Sequence, residues 1–148
     1  MTSVALTGLK SEIGRKSKER KITLDDVQMR DFASCVKATV GATSHSPITS
    51  VAIPTVFTMF RQGEFEIMSD LGIQLKQVLH AEQTYTMLEP LSPSEELTFT
   101  TRLASVAEKK SKTANMAFMA FETDFVRTAD AVVVATARST MVYRELLA

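Results

Sequence analysis

The chain has 148 residues, 45% of them hydrophobic and 23% charged, which fits one ordinary globular domain with a real core. Seventeen basic residues balance 17 acidic ones, so no global charge draws the protein to nucleic acid or to a membrane surface. A single cysteine, Cys35, excludes an internal disulfide, and no apolar run approaches the roughly 20 residues of a membrane span.

Residues 1–9 read as a loose lead-in. The segment Lys10–Thr23 is rich in Lys and Arg around Ile13. It reads as a solvated edge and linker, since no aromatic residue or nucleic-acid motif accompanies the charge. No stretch resembles a secretory leader, and the expected location is the cytoplasm. A first helix is expected from Thr23, a candidate cap with Asp26 three residues on. Met29, Phe32, Ala33, Val36 and Val40 recur at helical spacing, Cys35 reads as a small buried hydrophobe, and Gly41 can end the helix. "GATSHSPITS" reads as a loop.

A second helix is expected to start near Pro54, with Val56, Phe60, Gly63, Ile67 and Leu71 on one stripe and Phe57, Met59 and Met68 widening it. Gly63 costs about 1 kcal/mol of helix propensity relative to Ala; a close approach of this helix to a sheet would explain it. Gly72 can supply the C-terminal cap. The acids Glu64, Glu66 and Asp70 are expected on the exposed side.

The remainder reads as four long strands: "QVLHAEQTYTM", "ELTFTTRLASV", "TANMAFMAFETDFV" and "AVVVATARSTMVYRE". They are joined by turns at "SPSE", "EKKSK" and "RTAD", which suggests an antiparallel meander. Leu97, Phe99, Thr101 and Leu103 share one face. The third strand is apolar on both faces at its centre, so its second face needs cover, which dimerisation would supply. On the first strand His80 and Glu82, at i and i+2, are expected to share a face with Val78 and Thr84. Leu79, Ala81, Gln83, Tyr85 and Met87 form the more apolar side toward the helix. Helices followed by a run of strands make an α+β pattern.

The motif His80-Ala81-Glu82-Gln83, then Pro90 and "SPSEEL", together with "IPTVF" before the central helix and the closing "VVVATARSTMVYRE", resembles the MaoC-like dehydratases. More narrowly it is similar to their N-terminal, FAS1-like dehydratase domain. The resemblance covers about residues 20–145 of a single domain spanning 1–148. It implies a hotdog fold, an antiparallel sheet wrapped around a long central helix. It also implies action on acyl thioesters carried by coenzyme A or an acyl carrier protein. The reaction would be (R)-specific enoyl hydration or the reverse dehydration, with no metal or other cofactor. Such chains act as homodimers or as heteromers with a catalytic hotdog subunit.

Active members of that family place an Asp and a His a few residues apart in a Gly-Asp-x-Asn-Pro-x-His-like loop between the two helices. One group moves the α-proton or activates water; the other serves the hydroxyl. The matching loop here, "VGATSHSPITS", keeps Gly41, His45 and Pro47 but has no Asp, Glu or Asn. Candidate catalytic residues are therefore His45, His80, Glu82 and Glu64, the last because hotdog thioesterases often carry a carboxylate on the central helix. Pro54, Phe57 and Phe60 are candidate acyl-pocket residues. Three functions remain open: a subunit of a heteromeric dehydratase, a self-sufficient acyl-CoA enzyme such as a thioesterase, and an acyl-thioester-binding protein without catalysis.

Overall fold

The computed structural model describes residues 6–35, 62–92, 94–110 and 112–146. A 3-10 turn, Leu6–Glu12, leads into the short strand β1, Arg20–Thr23, and helix α1, Asp26–Cys35. Helix α2, Gln62–Asp70, is followed by a one-turn 3-10 segment, Leu75–Gln77, and then by β2, Val78–Met87. The long strands β3, Glu96–Lys110, β4, Ala114–Arg127, and β5, Val133–Leu146, complete the chain.

The five strands form one antiparallel sheet in the order β1-β3-β4-β5-β2. The expected meander therefore holds for β3-β4-β5 only; β2 crosses to the far side and pairs with β5. β3 also runs further than expected. Glu108, Lys109 and Lys110 remain in register with β4, so the charged run expected as a turn is mostly strand. Its alternation is polar but intact, and pairing to β4 holds it extended.

The basic lead-in is an edge of the sheet, not a linker. The backbone amides of Gly14 and Ser17 donate to the carbonyls of Leu103 and Thr101 at 2.8 Å each, and β1 continues alongside β3 from Arg20↔Phe99 to Thr23↔Glu96. This places Thr23 inside a strand. The cap of α1 is instead Asp25, whose Oδ1 accepts from the Gln28 amide at 2.8 Å, satisfying one of the helix's orphan donors. Met29 is fully buried, as its spacing predicts. Cys35 is exposed, contrary to expectation, because α1 covers the core with its Met29 side. The side chains of Phe32 and Ala33, and all of Val36, Val40 and Gly41, lie outside the described residues.

Helix α2 lies across the inner face of the sheet with Gly63, Glu64, Ile67 and Met68 buried. The expected stripe Gly63–Ile67–Leu71 is present, and Gly72, with φ 70°, ends the helix. There the Ile73 amide donates to the Met68 carbonyl at 2.9 Å. Gly63 marks a close approach: a Cβ there would stand 2.7 Å from the Cβ of Thr101 and 3.0 Å from Ser17 Oγ.

The inner face carries two apolar clusters. Ile22, Leu24, Met29, Leu97, Phe99 and Phe125 belong to the first, where the Phe99 and Phe125 rings lie 5.6 Å apart. Ile67, Met68, Leu71, Leu103, Phe121 and Met141 belong to the second. Each fully buried Leu or Phe stabilises the fold by about 2 kcal/mol through removal from water. Between the clusters runs a belt of small polar residues.

Candidate functional site

That belt is built by register. Thr101 pairs with Thr123, and their hydroxyls share a hydrogen bond of 2.7 Å. Thr123 in turn pairs with Ala137, and Phe121 pairs with Ser139, one step along the same face. On the next strand Gln83 pairs with Ser139. Ser17, from the lead-in, accepts from the Thr101 amide at 3.1 Å. Thr101, Thr123, Phe121, Ser139 and Ser17 are buried, while Ala137 and Gln83 are half-buried.

Glu64 comes down on the belt from α2. It is only 5% exposed, which corrects the expectation that it faces solvent. Ser139 Oγ donates to Glu64 Oε1 at 2.5 Å. A buried carboxylate costs several kcal/mol unless polar groups receive it, and Ser139, a member of the belt, bonds to it. The cause is local. Gly63 brings the first turn of α2 down onto β3, and the next residue along is turned inward with it. Of the other two acids only Asp70 is exposed as expected; Glu66 is half-buried, accepting from the Lys18 amide at 3.1 Å and from Arg20.

His80 and Glu82 are placed differently. Both are exposed on β2, and a β-bulge falls between them: His80 pairs with Met141 while Glu82 pairs with Thr140. One extra residue, Ala81, interrupts the alternation. The two side chains therefore take opposite faces by register, which corrects the expectation of a shared face. The same bulge swaps the faces of the strand's first residues. Val78 packs on the second cluster, and Leu79, expected toward the helix, is 54% exposed. Beyond the bulge the expectation holds: Tyr85 and Met87 pack against the first cluster.

Of the sequence candidates, then, Glu64 is buried on the inner face, while His80 and Glu82 stand at the sheet's margin and do not form a pair. His45, Pro54, Phe57 and Phe60 lie outside the described residues. Among the described residues no group of three or more His, Cys, Asp and Glu gathers to hold a metal ion, and no helix is long and apolar enough to cross a membrane. The residue that sequence reasoning missed is Ser139. Its signal was present: in "VVVATARSTMVYRE" it takes an inward position among Ala135, Ala137 and Met141, where a hydroxyl needs a partner.

An antiparallel sheet in this order, with a helix across its inner face, is the hotdog fold, and solved structures share it. The chain resembles the HadBC (3R-hydroxyacyl-ACP dehydratase) complex of Mycobacterium tuberculosis at 13% identity and TM-score 0.69, covering 88% of this chain and 96% of that one. It resembles the ChsH1-ChsH2 complex of the same organism at 14% identity and TM-score 0.65, covering 97% and 91%. A MaoC-like dehydratase from Rhodospirillum rubrum matches at 12% identity and TM-score 0.58, covering 91% and 94%. No curated protein matches the sequence. At these identities the likeness is one of fold, but the model of the FAS1-like dehydratase domain region matches residues 11–136, most of the chain. The protein therefore belongs to the FAS1-like dehydratase domain family.

Proposed function

We propose that this chain is the supporting subunit of a heteromeric (R)-3-hydroxyacyl-thioester dehydratase, or enoyl-thioester hydratase in the reverse direction. It shapes the acyl channel beside a catalytic hotdog chain. The observation that carries this reading is the distribution of carboxylates. From Asp31 to Glu64 the sequence holds no acidic residue, and this is the interval in which active relatives place the acid of their Asp/His pair. His45 has no carboxylate near it in sequence. His80 and Glu82, the other candidate pair, are split by the bulge. Dehydration needs two groups acting on opposite ends of the same C–C bond, one on the α-proton and one on the hydroxyl. A partner chain supplies what this one lacks. The sheet offers it a place: β2 is ten residues long and has a described neighbour on one side only. Pro54, Phe57 and Phe60 are the proposed wall of the acyl channel on this chain's side.

The test is co-expression with a hotdog chain that carries the Asp/His segment, followed by hydration assays on crotonyl-CoA and longer enoyl-CoAs. The expected result is a stable complex whose rate exceeds that of this chain alone by about 100-fold or more, the usual worth of an acid–base group. A chain that works alone at the rate of the mixture overturns the proposal.

One observation favours a second reading, a self-sufficient thioesterase. Glu64 is a buried carboxylate on the central helix, held by Ser139, and could direct water at a thioester. Under that reading the chain alone cleaves acyl-CoA, and Glu64→Gln abolishes the cleavage. Under the subunit reading the chain alone releases no thiol.

A further inference from the structure

The described arginines are almost all taken up by carboxylates. Arg15, Arg20, Arg30, Arg102, Arg127 and Arg138 each form an ion pair. Arg144 is the exception: among the described residues no carboxylate holds it, although Glu145 is its neighbour in sequence. Nor is Lys76 in an ion pair among the described residues. These two cations line the same cavity, of about 300 Å³, with Gln77, Leu79 and Glu145.

The fold explains why they meet. The start of β2 pairs with the end of β5, Val78↔Tyr143 and Leu79↔Val142, so the 3-10 turn that carries Lys76 and Gln77 arrives beside Arg144 and Glu145. The bulge at Ala81 turns Leu79 to the outer side, where it is exposed next to Val142, and Val142 pairs onward with Phe118. A third cation faces the same way. Lys109 and Arg144 both take Met116 as their register partner, from either side. The cavity thus places the exposed Leu79 beside the cations Lys76 and Arg144 at one end of the sheet, with Val142 and Phe118 next to it in register. Of the nearby acids, Glu108 is occupied by Lys10 at 3.7 Å; Glu145 lines the cavity as the opposing charge, and Glu82 lies further along the same face of β2.

We infer that this cavity holds the phosphate of the substrate's carrier arm, the phosphopantetheine group that coenzyme A and acyl carrier proteins share. Arg144 supplies a fork of N–H donors matched to phosphate oxygens and Lys76 a point charge. Gln77 offers an amide, and Leu79 packs on the pantetheine chain. The inference deepens the acyl-thioester reading above and rests on it for the identity of the ligand.

Calorimetry on the full chain tests it with three probes: coenzyme A, 4′-phosphopantetheine, and pantetheine, which lacks the phosphate. The expected result is binding of the two phosphate-bearing probes, weakening with salt, and no binding of pantetheine. In Arg144→Ala and Lys76→Ala the affinity for the phosphate-bearing probes falls at least tenfold, and in the double charge reversal R144E/K76E it is lost, with the thermal midpoint unchanged. If the Ala variants weaken coenzyme A but not phosphopantetheine, the phosphates seated are those of the nucleotide, and the inference is overturned. Wild-type affinity for coenzyme A in R144E/K76E overturns it, as does equal affinity for pantetheine and phosphopantetheine. The two proposals fail separately. A chain that binds coenzyme A through Arg144 but forms no active complex loses the dehydratase reading and keeps this site. An active complex whose R144E/K76E form binds coenzyme A normally does the reverse.

Discussion

The two margins of the sheet are finished in different ways. At one margin β1 is four residues long and tied down on every side. Lys21 reaches Glu96 at 3.1 Å, Arg20 reaches Glu66 on α2, and Glu66 also takes the Lys18 amide at 3.1 Å. A short, charged and covered strand is how proteins keep a sheet from pairing with another. At the other margin β2 is long, and it exposes Leu79, His80, Ala81, Glu82, Thr84 and Thr86, of which Glu82 is the one carboxylate. Among the described residues the bulge at Ala81 and the Glu82 carboxylate are its guards. The two margins of one sheet, under the same solvent, thus differ: one is closed by contacts within the described chain, and the other has a described neighbour on one side only.

The largest expected effect comes from undoing the closed margin at its root. Gly63 lets α2 come close enough for Glu66 to reach Arg20 and Lys18. In Gly63→Val the new side chain meets Thr101 and Ser17, which are themselves packed and hydrogen-bonded. Overpacking of this kind costs about 3 kcal/mol, read by chemical denaturation, with β1 becoming open to proteolysis. A variant as stable as wild type would show that α2 can lift without loss, and that the closure of this margin does not depend on it.

At the open margin the contrast predicts the opposite sensitivity. Lysines at two exposed positions of β2, Ala81→Lys and Thr86→Lys, should leave the isolated chain within about 0.5 kcal/mol of wild type, as surface changes usually do. Association with a partner chain should weaken by at least about tenfold, or 1.4 kcal/mol, because charge on an edge opposes strand pairing. Sedimentation of the mixture reads the second quantity and thermal unfolding the first. Unchanged association with both lysines in place would remove β2 as the docking edge.

The asymmetry of the margins was hard to see in the sequence, and the reasons are specific. The central helix was legible because Gly63, Ile67, Met68 and Leu71 repeat with its period, and the glycine itself signalled the close approach. Leu97, Phe99, Thr101 and Leu103 alternated cleanly and are all buried. β1 was not legible: four residues containing Arg and Lys have too few apolar positions to show a period of two, and only the pairing to β3 makes them a strand. Nor was the place of β2, since strand order is set by which apolar faces the helix can cover together, and adjacent strands in sequence are merely the common outcome. The bulge is a single inserted residue that looks like alternation from outside, so His80 and Glu82 read as a pair. Glu64 misled for the converse reason. A carboxylate reads as solvent-facing unless its receiver is known, and Ser139 lies 75 residues away.

The smallest effect expected is in the ion pair that closes the β1 margin. The Lys21 ammonium, by hydrogen bond first and by charge second, holds the Glu96 carboxyl below its usual range, with a further hydrogen bond involving Thr128. Asp130, next to the far end of the β3-β4 ladder, is lowered in the same way by its hydrogen bond with Arg127. A carboxyl depressed in the folded state binds fewer protons there than in the unfolded chain, so it adds stability above the unfolded value. That stability is lost as the pH falls through the folded one. The window opens below about pH 4.3, the ordinary glutamate value. Both groups are fully solvated, so the contribution is small and salt weakens it further. Lys21→Gln should therefore be slightly less stable than wild type at pH 7 and low salt. The two should converge as the pH is lowered past that window, and also at neutral pH in molar salt. A gap that persists in acid would mean that Lys21 stabilises β1 through its aliphatic stem against the sheet, and that charge is not what closes this margin.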